Sequence, residues 1–118
     1  MLHQHLQSLG SKIEGCHAAL LVGSDGLIVD SWMIGNDCPV EQIAAQSSQF
    51  LRCGLEMLDA IPDTELRELA LVSDLQKILL LAVSPSYFVV LLLAGNSLLG
   101  QARHYLHCIE SHLVQDLA

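Results

Sequence analysis

Three apolar runs in this 118-residue chain are joined by spacers too short for anything but hairpins. Leu66–Ser73, Gln76–Val83 and Tyr87–Ala94 are separated only by Asp74-Leu75 and by Ser84-Pro85-Ser86. A parallel crossover needs about a dozen residues or more, so the three segments are forced into an antiparallel meander. Tyr87–Ala94 is apolar almost throughout, which predicts a central strand buried on both faces. The remaining elements have to be assembled around that meander.

Cys16–Val22 and Leu27–Met33 flank Gly23-Ser24-Asp25-Gly26, a turn whose residues tolerate positive φ, and so predict a separate hairpin. Before it, Leu2, Leu6, Leu9 and Ile13 recur at helical spacing and predict a short amphipathic helix ended by Gly15. Asn36-Asp37-Cys38-Pro39 offers an N-cap and a first-turn proline to a helix that runs to about Ala60, short of Pro62. One face of that helix carries Ile43, Ser47, Leu51, Gly54, Leu58 and Ile61; the opposite side carries Gln42, Gln46, Gln49, Arg52, Glu56 and Asp59. Small residues at Ala44, Ala45, Ser47, Ser48 and Gly54 allow a close approach to a sheet or a partner helix. Gly95-Asn96-Ser97 opens a last helix whose expected inner face is Leu98, Ala102, Tyr105, Leu106, Ile109 and Leu113. The expectation is an α+β fold in one domain over residues 1–118: a five-stranded antiparallel sheet with helices on both faces.

Composition adds a partner to this picture. Hydrophobic residues make up 52% of the chain and charged residues 15%, more apolar surface than so small a core can hide, so part of it is expected to face another chain. With 13 acidic against 5 basic residues the net charge is −8, which repels phosphate backbones and anionic lipid. Nucleic acid and the membrane surface are therefore disfavoured as partners. The longest apolar runs fall far below the ~20 residues of a spanning helix, and Met1-Leu2-His3-Gln4 is no signal peptide. A cytoplasmic location is expected. Cys16, Cys38, Cys53 and Cys108 lie far apart without a Cys-x-x-Cys pair, and buried free thiols are the expected state.

The element order, with these residues at its junctions, resembles the roadblock family of dynein-light-chain and small-GTPase regulatory proteins. The most specific part is Ile13-Glu14-Gly15 leading into Ala18-Ala19-Leu20-Leu21-Val22 and then Asp25-Gly26-Leu27. The Ala44-Ala45 helix and the passage Asn96–Gly100 add weaker support, and the likeness extends from Leu2 to Leu113. The resemblance implies a profilin-like fold and a homodimer, or a heterodimer with a paralogue, in which third strands pair edge to edge and central helices pack together. Carried onto this chain, the pairing edge is Leu66, Arg67, Glu68, Leu69, Ala70, Leu71 and Val72, and the helix contacts are Leu51, Gly54, Leu55 and Leu58. Independently, an exposed apolar edge strand is something soluble proteins avoid. Arg67 and Glu68, its only charges, are candidates to set the register across a two-fold axis.

The resemblance also implies a Ras-like small GTPase as partner, with Gln42, Gln46, Gln49, Arg52 and Glu56 as the expected contact surface. Two alternatives stay open: a structural adaptor of a dynein-type or signalling complex, and a small-molecule or metal sensor on the same fold. No catalytic role, cofactor or metal is expected. Gly95-Asn96-Ser97-Leu98-Leu99-Gly100 has glycines at suggestive spacing but lacks the lysine and hydroxyl of a phosphate-binding loop. Arg52, Arg67 and Arg103 are read as solvated or ion-paired rather than as an arginine finger, so any activation of GTP hydrolysis would be indirect. His104, Cys108 and His112 recur every four residues on the last helix, with His107 nearby. The outer two stand ~12 Å apart along the axis, so at most two can share a metal. Further ligands would have to come from His3, His5 or His17. Cys16 and His17 are adjacent on a strand and point to opposite faces, which excludes a nucleophile–base pair. Trp32 and Met33 are read as edge residues serving the core.

Overall fold

A computed structural model describes residues 2–35 and 37–117. The order is α1 (Leu2–Lys12), β1 (Cys16–Gly23), β2 (Ile28–Met33), α2 (Val40–Asp59), β3 (Glu68–Val72), β4 (Gln76–Ser84), β5 (Tyr87–Ala94) and α3 (Leu99–Leu117). The five strands form one sheet in the order β2-β1-β5-β4-β3. All four pairings are antiparallel. As its composition requires, β5 is the middle strand, and β1 joins its free side across the sheet.

Alternation along the strands splits the core in two. Ala19 and Leu21 of β1, Leu79 and Leu81 of β4, and Val89, Leu91 and Leu93 of β5 pack with Leu6, Leu9 and Ile13 of α1 and with Ala102, Leu106 and Leu113 of α3. On the other face Ala18, Leu20 and Val22, Leu80, and Phe88, Val90 and Leu92 pack under Val40 and Ala44 of α2. One helix therefore covers a face that two helices cover on the opposite side, and α2 leaves the β3 side of its face thinly covered. Gly15, at φ +83°, turns the chain from α1 into β1; its carbonyl accepts the Ala94 N–H at 2.9 Å, and a Cβ there would overlap Ser97 Oγ. Ser97 is buried and donates its hydroxyl to the Glu14 carbonyl at 2.9 Å, while its own carbonyl accepts from Lys77 Nζ at 2.8 Å. The segment Gly95–Gly100 is thus a structural joint between α1, β4 and α3.

Several details differ from the sequence expectation. The third strand is Glu68–Val72, shorter than 66–73, because Leu66 leaves the ladder while Arg67 retains only its carbonyl bond from the Ala82 N–H. Leu98 is 68% exposed; α3 starts one residue later, and Leu99 takes its place against the core. Pro39 occupies the position before α2 at φ −78° and ψ 70° instead of the first turn, with no side-chain cap hydrogen bond, and of the stretch expected to supply the cap Asn36 lies outside the described residues. Ile61 follows the end of α2 and is exposed. No helix among the described residues is long and apolar enough to cross a membrane.

Candidate homotypic and partner interface

The free edge of β3 can be read from its bonds. Arg67 accepts the Ala82 N–H and Ser73 donates to the Gln76 carbonyl, both at 2.9 Å. Glu68 stands opposite Leu81 and Val72 opposite Lys77, so the odd-numbered residues bond to β4. The N–H and C=O groups of Glu68, Ala70 and Val72 consequently point away from the sheet, and no group among the described residues caps them. Ala70, Leu71 and Val72 are exposed.

An apolar strip on α2 runs beside that edge. Gly54 sits under β3, where an added Cβ would come 3.1 Å from Leu69 Cδ1. Phe50 and Met57 lie four residues before and three after Gly54 and share its stripe. Met57 is 70% exposed and Leu71 is 55% exposed, large values for side chains of this kind. Ile43, Gln46, Ser47 and Phe50 of α2 enclose a hollow of about 230 Å³ with Leu71, Ile78 and Leu80 of the sheet. The hollow exists because α2 is one helix over a sheet too wide for it.

The residues expected as helix contacts on α2 differ in their exposure within the chain. Gly54 is buried against Leu69, and Leu51 and Leu58 are half-buried toward the sheet, which leaves only Leu55 of that set exposed. Leu69 is spent in the same packing. Phe50 and Met57 are the exposed apolar residues that sequence reasoning passed over, because the more regular apolar face was assigned to core and partner at once. Their spacing around Gly54 was the available signal. Glu68 is engaged within the chain: its two carboxylate oxygens both accept from Arg103 Nε at 2.9 Å, so its charge ties β3 to α3. Arg67 stays exposed, with no ion pair among the described residues. By contrast Gln42, Gln49, Arg52 and Glu56 are exposed on the outer side of α2, and Gln46 is exposed at the rim of the hollow.

A second depression, an open groove of about 730 Å³, lies where β3 begins. Its walls include Leu51, Leu55 and Leu58 from α2, Leu66 from the connection, and Pro85 from the β4–β5 turn. Glu110 and His107 of α3, themselves paired at 3.2 Å, close its far side.

The histidines disperse. His104 Nε2 and Cys108 Sγ stand 3.9 Å apart, but the His112 ring stacks on His5 of α1 at 5.5 Å, and His5 Nε2 pairs with Asp116 Oδ2 at 3.1 Å. The stripe is divided because α1 lies against the end of α3. Among the described residues no three His, Cys, Asp or Glu side chains converge as metal ligands would. His17 meets Gln76, with 2.6 Å between their Nε2 atoms. All four cysteines are free, and only Cys16 is fully buried; Cys53 and Cys108 lie on outward helix faces, against the expectation of buried thiols. Burial pushes the Cys16 thiol up to about 11, partly opposed by a backbone hydrogen bond with Ala18. Trp32 packs on the α1–α3 side of the core and Met33 on the α2 side, as edge residues serving the core.

The described surface thus combines a thinly covered sheet face, one short open edge and a single outer helix. The family model of the Roadblock/LC7 domain matches residues 2–92, and the chain belongs to that family. Members are generally non-catalytic regulators. A Roadblock/LC7 domain from Streptomyces avermitilis superposes with a TM-score of 0.89 at 14% identity, covering 98% of this chain and 97% of that one. Myxococcus xanthus MglB gives 0.89 at 12% identity over 98% and 94%. MglC from the same organism gives 0.67 at 22% over 96% of each chain. Fission yeast profilin also superposes, with a TM-score of 0.65 at 14% identity over 98% of each chain, in keeping with the profilin-like architecture. No curated protein sequence matches significantly.

Proposed function

We propose that the chain is a single roadblock domain that dimerises through β3 and the neighbouring strip of α2, and that the dimer binds a Ras-like small GTPase as a non-catalytic regulator. The observation that carries the reading is the pairing of uncapped backbone groups at Glu68, Ala70 and Val72 with exposed apolar side chains at Phe50, Met57, Leu71 and Val72. Water satisfies those backbone groups in the monomer, but it leaves the apolar strip in an unfavourable contact that a second chain removes. Two α2 helices side by side would then present two copies of the Gln42, Gln46, Gln49, Arg52 and Glu56 stripe as one polar platform, wide enough for a globular partner. The acidic balance of the chain suits a protein partner and opposes nucleic acid.

Light scattering on the purified chain should give twice the monomer mass. Calorimetry against a Ras-like GTPase loaded with a non-hydrolysable GTP analogue should then show tighter binding than the GDP form. Reversing two charges, Arg52→Glu with Glu56→Arg, is expected to abolish that binding while leaving the dimer intact; unchanged affinity would remove the outer stripe from the reading. An Arg52→Ala variant that still binds should retain any stimulation of hydrolysis, since no arginine of this chain is assigned to the phosphates.

A further inference from the structure

Two neighbouring serines of α2 are equally buried and differ in one respect. Ser47 and Ser48 are each 6% exposed. The Ser48 hydroxyl donates to the Ser24 carbonyl of the β1–β2 turn at 2.8 Å. The Ser47 hydroxyl has no hydrogen-bond partner among the described residues. It does not even take the carbonyl one turn back, as Ser11 does in α1 at 2.7 Å. Buried polar groups are almost always paired, so a buried hydroxyl without a protein partner draws its bond from elsewhere. Ser47 lines the hollow of about 230 Å³ that α2 leaves over Leu71, Ile78 and Leu80.

Contacts on either side of the hollow keep it open. Gly26 of the β1–β2 turn lies so near α2 that an added Cβ would stand 3.4 Å from both the Ala45 Cα and the Ser48 Cβ. Further along the helix, Gly54 seats against Leu69 with 3.1 Å to spare for a Cβ. Held at both places, α2 does not settle onto the sheet between them. The lining is apolar apart from Ser47 and the Gln46 amide at the rim, and none of it is charged. An ionised guest would lose its hydration there without gaining a counter-charge, so the lining selects a neutral one. An apolar cavity of roughly 150 Å³ accommodates a benzene ring. The larger volume here takes a second fused ring or a polar substituent, and Phe50 offers its own ring for edge or face contact. A serine hydroxyl can donate or accept, so one polar group on the guest is enough to pair it.

We infer that this hollow is a binding site for a small neutral aromatic molecule carrying one hydrogen-bonding group, which pairs with Ser47 Oγ. The site is separate from the partner-binding reading above and does not depend on it. Indole is the probe, titrated into the purified chain by calorimetry and located by amide shifts in NMR spectra. It should bind with a Kd on the order of 0.1–1 mM, with the shifts centred on Ser47, Phe50 and Ile78. N-methylindole, which lacks the N–H, should bind about threefold to tenfold more weakly. Ser47→Ala should weaken indole by about the same factor and leave N-methylindole unchanged, the signature of a hydrogen bond rather than of altered packing. An indole carboxylate should bind at least about tenfold more weakly than indole. Ile78→Phe, which fills the hollow from the sheet, should abolish binding without lowering the melting temperature. The assignment is overturned if indole does not bind, if its shifts centre elsewhere, or if Ser47→Ala weakens both probes equally. Binding to Ala70→Pro, whose β3 edge cannot pair, but not to the wild-type chain would also overturn it, because a second copy would then fill the hollow.

Discussion

Along β2 the chain answers its own outward-facing backbone; along β3 it does not. Ile34 donates to the His17 carbonyl at 2.9 Å and Ser31 lies opposite Leu20, so the Ser31 N–H points off the sheet. Asp30 Oδ1 accepts that N–H at 2.8 Å, and the same oxygen lies 3.2 Å from His3 Nδ1 of α1. Trp32 packs across Gly10, where even a Cβ would overlap the ring, so β2 is fastened to α1 as well. A carboxylate on the edge, a bonded amide and a bulge between Leu21 and Val22 are the devices by which sheet edges refuse a neighbour. None of them is present on β3, where the one carboxylate is turned back onto Arg103. The difference is that the fold caps the backbone of one edge with its own side chain and leaves that of the other uncapped among the described residues.

Proline tests the contrast most severely. Ala70→Pro removes an N–H that the monomer does not use, so the chain should still fold, while the dimer should weaken by about a hundredfold or more. Ser31→Pro on the protected edge is expected to leave the mass in solution unchanged. Phe50→Asp, which puts a charge into the strip beside β3, should weaken the dimer by roughly 30-fold, read by sedimentation equilibrium. Asp30→Ala should convert the protected edge into an open one. It is expected to cost about 1 kcal/mol in denaturant unfolding through the lost Ser31 bond, and to produce species larger than a dimer in light scattering. The smallest effect concerns Cys53, which lies between Phe50 and Met57 on α2: its maleimide labelling should be several-fold slower than that of Cys108 and recover in Ala70→Pro. Cys16 serves as the silent control, because burial holds its thiol protonated up to about 11. For the same reason stability should fall as the pH rises above the ordinary thiol value toward 11: the unfolded chain releases that proton first.

How far the sequence alone reached depends on which residues are asked. Two spacers and a turn determined the meander and the first hairpin, because a chain of two or three residues has almost no other way to connect strands. The apolar run of β5 determined its central place, since only a strand covered on both faces can bury such a run. The Ile13–Leu27 passage identified the family for a similar reason, as the turns it needs restrict residue type. Which side of α2 is exposed was decided only by the fold. Leu51, Gly54 and Leu58 are as apolar as an interface requires, and nothing local says that the sheet claims them first. Glu68 and Arg103 are 35 residues apart and meet because α3 crosses the end of β3. His112 left its stripe for His5 for the same kind of reason, the packing of α1 against α3. The asymmetry of the two edges is likewise tertiary, because Asp30 and Glu68 are both carboxylates on edge strands. One caps the backbone beside it and the other is drawn away by a guanidinium that only the folded chain supplies.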